Sequence, residues 1–389
     1  MQPRTLARVS NPRRSSVRTH GVPRDQNQEN DRANTNPDTS SRSWGDKIKV
    51  PKPDNTFRFM FQNIQGLPVN PTGHKHQQIG IALKETEADV FGIAELNLNF
   101  HAMGPNFQWK ERFRNLYRNH SIHTCNKHDS SKKRILFGGT ALITTGACSH
   151  RAIESGTDVT GMGRWVWTLY AGRNNMRLRV LSGYRPNPDR QDRPGTVYSQ
   201  QERYLRANQD DRSPRRAFIK DLEEKIEQWR IEGNLLLIGI DANDNVRTGE
   251  VNAMLRNHGL IEVHSAAHPH LPTTATCDKN TQEIPVDGMW MSPSLECVAA
   301  GYYGFGELIM GKTDHRMIWA DLSYDSSLGF PPPKPKYRQL QRLTLTHQRA
   351  VKNYKKVLRH EHQRVRQAKI PYAPQNKIAT WLKSAHTKE

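Results

Sequence analysis

Polar and titratable side chains recur at the ends of apolar, strand-like runs in this sequence. Asp241 and Asn243 follow the aliphatic run LLLIGID, a change from apolar to polar within a few residues. The other residues of this pattern are Asn63 after FRFMFQ, Glu95 in DVFGIAEL, Tyr184 ending RLRVLSGY, Asp287 in IPVDGMW, and Asp314 and His315 before RMIWADLS. Strand ends that face one rim of a sheet bring such side chains together, so we expect them to form one site.

Each of these residues alone also has a purely structural interpretation. An Asp after a strand is more commonly a turn or helix-cap residue than a ligand. A buried Tyr can pack with its hydroxyl bonded to the backbone, and a His can be a satisfied structural residue. The functional interpretation is favoured because the pattern recurs at several strand ends of one strongly basic chain.

The residue types suit metal-assisted hydrolysis of a phosphate ester. Carboxylate and amide oxygens are hard ligands that fit Mg²⁺ or Mn²⁺. A phosphodiester requires an aligned water and neutralisation of the developing negative charge. A carboxylate can hold the water, while a metal, an amide and a protonated His can neutralise the charge; a second carboxylate beside that His keeps it charged near neutral pH.

The cysteines predict neither a disulfide framework nor a structural zinc site. The four residues, Cys125, Cys148, Cys277 and Cys297, are scattered, and no CxxC or Cys/His spacing typical of zinc occurs. Such sparse thiols suit a reducing compartment.

The charge indicates a polyanionic partner, most simply nucleic acid. The 389 residues carry a net charge of +20, with a pI near 9.9 and a mean hydropathy of −0.83. Residues 1–50 hold 10 Lys and Arg against 5 Asp and Glu, and residues 331–389 hold 15 against 2, so the excess lies in the flanks. We expect DNA as the main partner and RNA as a second partner of the basic tails, with solvated tails as the plain alternative. No apolar run reaches membrane-spanning length, so no membrane partner is expected.

Composition predicts four regions. Residues 1–54 are predicted to be a disordered basic arm, and residues 55–325 one α/β domain. A Pro-rich linker is predicted at 326–337, followed by a basic helix and tail at 338–389. The Arg/Ser-rich N-terminus also has the look of a mitochondrial transit peptide, although a nuclear location is the primary expectation.

Hydrophobic periodicity predicts the elements of the α/β domain. Strands are predicted at 57–64, 89–96, 135–145, 164–171, 177–184, 234–241 and 316–323. Helices are predicted at 76–89, 217–231 and 250–259, the last closed by Gly259, with a long loop at 185–216 that holds one short helix at most. Because several strands are adjacent without an intervening helix, we predict two packed mixed β-sheets flanked by helices.

The order of the motifs FQNIQGL, GIAELN, GYRPNP, GIDAND, VDGMW and KTDHRMIWADL resembles the endonuclease/exonuclease/phosphatase superfamily. Within it, residues 57–325 look most like the apurinic-type endonuclease domain of non-LTR retrotransposons. The resemblance implies a four-layer α/β sandwich and a Mg²⁺-dependent endonuclease, for which Mn²⁺ can substitute. The chain would then be a stand-alone nuclease or a fragment of a longer polyprotein, since it contains no polymerase motif.

The resemblance also implies which residues bind the metal. Glu95 corresponds to the metal ligand, and Asn63 would hold the phosphate and the metal-bound water. Asp314 would support the metal side of the site.

The remaining roles implied by the resemblance are catalytic. Asp241 would orient or deprotonate the nucleophilic water, and Asn243 and Tyr184 would contact the scissile phosphate. His315 would bind and stabilise the pentacovalent phosphate, with Asp287 as its orienting partner.

The sequence departs from the superfamily pattern at four positions. Gln65 replaces an Asp of repair-type relatives, which puts efficient abasic-site repair in doubt. Tyr184 replaces the His that phosphatase-like branches favour, which argues against a small-phosphate substrate. Thr313 replaces a Ser and keeps its hydroxyl, and Ala242 replaces a larger residue.

Three functions follow as expectations. The first is nicking of one DNA strand to leave a 3′-hydroxyl for target-primed reverse transcription. The second is abasic-site repair or phosphomonoester hydrolysis at the same site. The third, of another class, is a nucleic-acid-binding module without catalysis.

Overall fold

The computed structural model describes residues 43–70, 73–100, 102–103, 113, 119–127, 133–188, 195–279, 283–308, 313–330 and 348–367. The chain divides into two compact units, residues 1–331 and 332–389. Both β-sheets belong to the first unit. In the second unit, the described residues form one helix.

The first sheet has seven described strands in the order β1-β12-β13-β2-β3-β5-β4. Their bounds are β1 (Trp44–Gly45), β2 (Thr56–Asn63), β3 (Val90–Ala94), β4 (His120–Cys125), β5 (Thr140–Thr145), β12 (Cys297–Tyr302) and β13 (Ile318–Ser323). Strands β2 and β3 run parallel, and the other neighbouring pairs are antiparallel.

The second sheet has six described strands in the order β10-β11-β9-β8-β7-β6. Their bounds are β6 (Ala152–Thr157), β7 (Trp165–Ala171), β8 (Arg177–Tyr184), β9 (Leu235–Asp241), β10 (Ile261–Glu262) and β11 (Asp287–Met291). Strands β8 and β9 run parallel, and the others pair antiparallel. Both sheets are therefore mixed, as the sequence predicts.

Helix α1 (His74–Thr86) packs on the outer face of the first sheet, and α3 (Pro214–Ile231) and α4 (Glu250–Asn257) pack on that of the second. The first unit also contains α2 (Val197–Ala207), α5 (Val263–Ala267), α6 (Tyr324–Ser327) and a 3-10 helix at Gly146–Arg151, and α7 (Gln348–Gln367) belongs to the second unit. Helix α3 begins at Pro214, where Ser213 accepts a hydrogen bond from the Arg216 backbone N–H. Helix α4 ends before Gly259, whose φ of +72° few other residues adopt.

The apolar core forms three layers that explain the strand sequences. In β2, Phe57, Phe59 and Phe61 pack between the two sheets, whereas Met60 packs outward with Ile79 of α1. Both faces of this strand are buried, so its apolar residues run almost without interruption. A third cluster packs α3 and α4 on the far side of the second sheet. The predicted four-layer α/β sandwich is confirmed.

Gly239 in the middle of β9 lies where aromatic side chains of β2 pack against the second sheet. A Cβ built on Gly239 would lie 2.9 Å from Cδ2 of the Phe61 ring. A larger residue at position 239 would clash with the Phe61 ring, so glycine is required there. This close packing fixes the position of β2 against β9.

The structure corrects several sequence-based boundaries. Residues 43–54 belong to the folded unit, because β1 pairs with β12 and Trp44 stacks on Tyr302 with ring centroids 4.7 Å apart. The predicted linker begins later than 326, since Leu328 is fully buried in the core. The apolar content of both stretches is too low for the sequence alone to show this burial.

Other elements were missed or misplaced. The described strands β1, β4, β6, β10, β11 and β12 were not predicted; β6, for instance, has largely exposed residues and no apolar alternation. Two helices fall within the predicted loop 185–216, namely α2 and the start of α3. The strand predicted at 135–145 begins at Thr140, after Gly138 and Gly139, which both have positive φ.

The predicted basic helix at 338–367 is observed as α7 from Gln348. Residues 1–42 and 368–389, on which the predictions of a disordered arm and a tail fall, lie outside the described residues. None of the described helices combines the length and apolarity needed to cross a membrane.

Candidate active site

Strand register brings the predicted residues to one rim shared by both sheets. In the first sheet, Asn63 at the end of β2 pairs with Ala94 at the end of β3, and Glu95 directly follows Ala94. In the second sheet, Asp241 lies between Tyr184 on β8 and Asp287 on β11. The parallel pairs β2–β3 and β8–β9 thus end at the same place.

A hydrogen bond joins the two sheets at this rim. The Asn63 side-chain Nδ2 donates to Oδ2 of Asp241 at 2.7 Å, and the Asn63 carbonyl Oδ1 accepts from the Gln65 backbone N–H at 2.8 Å. Asp241 also accepts from the Asn243 backbone N–H at 3.0 Å. Asn63 and Asp241 are almost wholly buried, so their geometry is fixed by the fold.

Asp287 and His315 form a buried pair beside Asp241. Nδ1 of His315 lies 2.7 Å from Oδ2 of Asp287, and the Asp287 backbone N–H donates to Oγ1 of Thr276. This contact holds the ring so that its other nitrogen, Nε2, is available to a ligand. The structure therefore places Asp287 as the partner that the resemblance implies.

Glu95 and Tyr184 form a second pair at the same rim. The Tyr184 hydroxyl donates to Oε1 of Glu95 at 2.5 Å. Burial raises the pKa of Tyr184 well above its ordinary value, and the negative charge of Glu95 raises it further, so the hydroxyl keeps its proton. The Tyr184 hydroxyl therefore orients the Glu95 carboxylate, and it also contacts the Asn243 side chain.

Two residues of the site adopt left-handed backbone conformations. Glu95 has φ +54° and Asn243 has φ +45°. Such conformations cost roughly 1–3 kcal/mol each in non-Gly residues and cluster at functional sites. The Asn243 side chain donates to the Arg185 carbonyl at 2.8 Å, which anchors this turn against the end of β8.

Burial, together with the neighbouring carboxylates, raises the pKa of Asp241 to about 8. Burial is the largest cause, and the charges of Asp287 and Glu95 add to it, while His315 and the Asn63 hydrogen bond oppose it. For His315, burial alone would lower the pKa, but the Asp287 carboxylate outweighs this effect and the pKa lies well above its ordinary value. The imidazole is therefore protonated at neutral pH.

These shifts predict how the stability of the metal-free protein depends on pH. Asp241 and His315 both bind protons more tightly in the folded chain than in the unfolded chain. In the unfolded chain, the pKa is about 3.9 for Asp and about 6.5 for His. The folded state therefore holds more protons from about pH 4 to about pH 8, and the free energy of unfolding falls as pH rises through this window, by up to about 1.4 kcal/mol per pH unit for each proton. We expect urea unfolding in EDTA to show this decline, and Asp241→Asn to flatten it. Parallel curves for the two proteins between pH 5 and pH 8 would contradict the assignment.

Asp314 lies on the His315 side of the site. Its Oδ2 contacts Nζ of Lys279 at 2.5 Å and Nε2 of Gln65 at 3.4 Å, and its Oδ1 lies 3.7 Å from Nε2 of His315. Oγ1 of Thr313 donates a hydrogen bond of 2.6 Å to the backbone carbonyl of Asn63, so this hydroxyl connects the loop before β13 to the end of β2. The predicted role of Asp314 in metal binding stays a prediction.

Sequence reasoning missed four residues around the site. Arg185 is fully buried and pairs with Asp244 and Glu250 directly beside Asp241. The others are Thr276, Cys277 and Lys279, which reach the site from the segment before β11. Only the motif GYRPNP pointed towards Arg185; no spacing in the sequence links residues 276–279 to His315.

The donor set fits a hard divalent cation. Oδ1 of Asp287 is buried and has no hydrogen-bond partner within the described part of the chain. Asp241 and Asp287 each place a carboxylate oxygen within 4.8 Å of the other and of a ring nitrogen of His315. Glu95 and Asn63 add hard oxygens at the same rim.

The fold is similar to that of a solved AP endonuclease, and two further solved structures show a weaker likeness. An AP endonuclease from Leishmania major superposes with a TM-score of 0.50 at 13% identity, over 69% of this chain and 88% of that one. An AP endonuclease from Archaeoglobus fulgidus gives 0.47 at 13% identity, over 68% and 98%. An endonuclease/exonuclease/phosphatase from Beutenbergia cavernae gives 0.43 at 12% identity, over 69% and 72%.

The class that the fold defines is therefore the α/β sandwich seen in the Leishmania major AP endonuclease. Its two mixed sheets and flanking helices are those described above. At 13% identity the likeness shows the fold alone. No protein-family model and no curated protein sequence matches the chain.

Proposed function

We propose that this protein is a divalent-metal-dependent phosphodiesterase that nicks one strand of DNA and leaves a 3′-hydroxyl. The observation that carries the proposal is the continuous arrangement of Asn63, Asp241, Asp287 and His315 at one rim, with Glu95 adjoining. It combines a carboxylate for the water, an amide and a protonated imidazole for the phosphate, and an oriented carboxylate for a cation.

In this proposal Asp241 acts on the attacking water. Its Oδ2 is held by Asn63, and its Oδ1 by the Asn243 backbone, so the carboxylate cannot rotate. A fixed carboxylate aligns the water with the phosphorus, which is a large part of the barrier for this reaction.

His315 acts on the phosphate oxygens. Asp287 keeps the ring charged and correctly oriented through Nδ1, and Nε2 is then the donor for the developing negative charge. Because the proton is in place before the reaction, little reorganisation is needed.

Glu95 and Asn63 would hold the cation, with Mg²⁺ as the natural ion and Mn²⁺ as a substitute. When bound, the ion supplies charge neutralisation and lowers the pKa of bound water. Tyr184 orients the Glu95 carboxylate for this task.

DNA is the substrate that the charge of the chain favours. The net charge of +20 suits a phosphate backbone, and helix α7 carries exposed Lys352, Lys355, Lys356 and Arg359. The motif order and this basic segment support a retrotransposon-type role, in which the 3′-hydroxyl primes reverse transcription and the tails bind element RNA.

The test is nicking of supercoiled plasmid with Mg²⁺ and with EDTA. We expect metal-dependent conversion to the open circle, and direct extension of the nick by a DNA polymerase without prior phosphatase treatment. An intact plasmid after incubation with folded protein and either Mg²⁺ or Mn²⁺ would contradict the proposal. A nick that polymerase extends only after phosphatase treatment would contradict the 3′-hydroxyl.

Abasic-site cleavage is the second candidate, favoured by the fold shared with the Leishmania major AP endonuclease. An oligonucleotide duplex with one abasic analogue separates the two: strong preference for the lesion indicates repair, and equal cutting of intact DNA indicates the nicking enzyme. Hydrolysis of a phosphomonoester instead would indicate a phosphatase, and salt-dependent binding without any cleavage would indicate a binding module.

The Glu95–Tyr184 contact gives a prediction about metal affinity. Tyr184→Phe removes the hydroxyl that orients Glu95, so we expect the Mg²⁺ concentration for half-maximal nicking to rise about 10- to 100-fold. Tyr170→Phe is the matched control, since this buried hydroxyl contacts Thr144 in the core away from the rim. Equal metal dependence of the two variants would show that Tyr184 acts elsewhere.

A further inference from the structure

Cys277, Asp314 and His315 form a second cluster of ligand-type side chains beside the rim. Cys277 and His315 are joined by an isolated antiparallel β-bridge, and the Cys277 side chain is a hydrogen-bond partner of the His315 ring. The thiol sulfur, one carboxylate oxygen and one ring nitrogen all lie within 4.8 Å of one another. Cys277 and Asp314 are partly exposed, so an ion can reach them from solvent.

We propose that this trio is a Zn²⁺ site, and that zinc bound there inhibits the enzyme. Binding stands on the trio alone, whereas inhibition rests on the proposed function. The site differs from the Mg²⁺ position in its donors, which are sulfur, nitrogen and one oxygen.

The donor chemistry separates the two ions. Thiolate and imidazole are ligands that Zn²⁺ accepts and Mg²⁺ does not, while Glu95 and Asn63 offer hard oxygens. Three protein ligands with an open fourth position are the usual arrangement for a zinc ion that also binds water or a phosphate oxygen. The fourth ligand here would come from solvent or from substrate.

The separations fit a tetrahedral ion after small side-chain shifts. Zinc bonds of about 2.0–2.3 Å place neighbouring ligand atoms about 3.3–3.6 Å apart. Nε2 of His315 and Oδ1 of Asp314 are already 3.7 Å apart. Nδ1 of His315 is held by Asp287, so the carboxylate–histidine arrangement that commonly supports a zinc ligand is present.

Lys279 is the element that opposes cation binding. Its ammonium contacts Oδ2 of Asp314, and its side chain is 68% exposed, so it can move away into solvent. Oδ1 of Asp314 remains available to an ion while this contact persists. The positive charge of Lys279 nevertheless repels a cation, so it lowers the affinity of the site for zinc.

Inhibition follows from the use of Nε2. In the proposed reaction Nε2 of His315 carries the proton that stabilises the phosphate, and zinc requires the lone pair of the same nitrogen. The ion therefore displaces the proton and holds the imidazole away from its task, whatever occupies the Mg²⁺ position.

The test uses the whole protein and Co²⁺ as a spectroscopic substitute for Zn²⁺. We expect a thiolate-to-cobalt charge-transfer band and tetrahedral visible bands in wild type, both removed by stoichiometric Zn²⁺. Cys277→Ser should lose the charge-transfer band and bind zinc about 10- to 100-fold more weakly in a competition titration. Cys297→Ser is the matched control, since Cys297 is also partly exposed but belongs to no such cluster within the described residues.

A second variant keeps the test independent of the cysteine. Lys279→Gln removes the competing ammonium from an exposed position, so zinc should bind several-fold more tightly. An unchanged cobalt spectrum in Cys277→Ser, or unchanged zinc affinity in Lys279→Gln, would overturn the proposal. Nicking is then measured at fixed Mg²⁺ and normalised to the zinc-free rate of each protein. The zinc concentration that inhibits it should be lowest for Lys279→Gln, higher for wild type and highest for Cys277→Ser. If no variant nicks DNA, the cobalt and competition results still decide whether the site exists.

Discussion

Nicking of supercoiled DNA in Mg²⁺ is expected to fall about 10³- to 10⁴-fold when Asp241 is replaced by Asn. The change keeps the size of the side chain but removes the negative charge that would hold and activate the water. The amide also presents an N–H₂ group to Asn63, whose own N–H₂ donates to Oδ2 of Asp241 in the wild type, so the two donors would oppose each other. Initial rates of open-circle formation at saturating Mg²⁺ measure the loss.

The control for Asp241→Asn is the same change at the exposed Asp211, which should leave the rate within about twofold, because a single exposed surface charge has little effect. The variant must be folded, and the stability series in EDTA shows this directly. A folded Asp241→Asn protein that nicks at the wild-type rate would remove Asp241 from the chemistry.

The largest expected effect on stability belongs to the buried ion pair of Arg58 and Asp321. These residues face each other across β2 and β13, and two parallel hydrogen bonds of 2.7 Å join Nε and Nη2 of Arg58 to the carboxylate. Arg58 also donates to the carbonyls of Thr86 and Lys49, so it links the end of α1 and the N-terminal segment to the sheet. Asp321→Asn should lower the free energy of unfolding by about 3–5 kcal/mol, because it leaves a buried guanidinium without its counter-charge.

Guanidinium chloride unfolding measures this cost, and two further proteins interpret it. The double replacement Arg58→Met with Asp321→Leu should cost less than Asp321→Asn alone, since no unpaired charge then remains in the core. Glu202→Gln breaks an exposed pair with Arg206 on α2 and should change stability by no more than about 0.5 kcal/mol. If Asp321→Asn lowered the free energy of unfolding as little as Glu202→Gln does, water would have to be solvating the unpaired Arg58 guanidinium. That result would contradict the predicted cost.

The sequence predicts most of the central strands and the side chains at their ends. Strands β2, β8 and β9 are buried on both faces or alternate clearly, so their apolar pattern is strong, and their last residues are the polar ones that meet at the rim. Asn63, Tyr184 and Asp241 could be found for this reason. Their contacts could not, because the strand register across two sheets is set by packing between residues far apart in sequence.

The features that sequence reasoning missed have weak local patterns. Strand β6 is half exposed at a sheet edge, and β1 has two residues whose only signal is Trp44. Cys277 reaches His315 from 38 positions away through a single bridge, which no spacing rule describes. Zinc-type spacing searches detect ligands close in sequence and therefore overlook a site assembled by the fold.

The position of β13 has a consequence for biosynthesis. This strand lies between β12 and β2. Strand β2, the first long strand to leave the ribosome, therefore lacks one of its two neighbours until β13, the last strand, has also been synthesised. Asp314 and His315 immediately precede that strand. Because pairing of such distant segments is slow to form and cannot precede their synthesis, a nascent chain would complete its first sheet and bring His315 to the rim at the same time. A polypeptide whose translation stops before β13 would then lack the closing strand of the first sheet, the rim residues Asp314 and His315, and the basic helix α7.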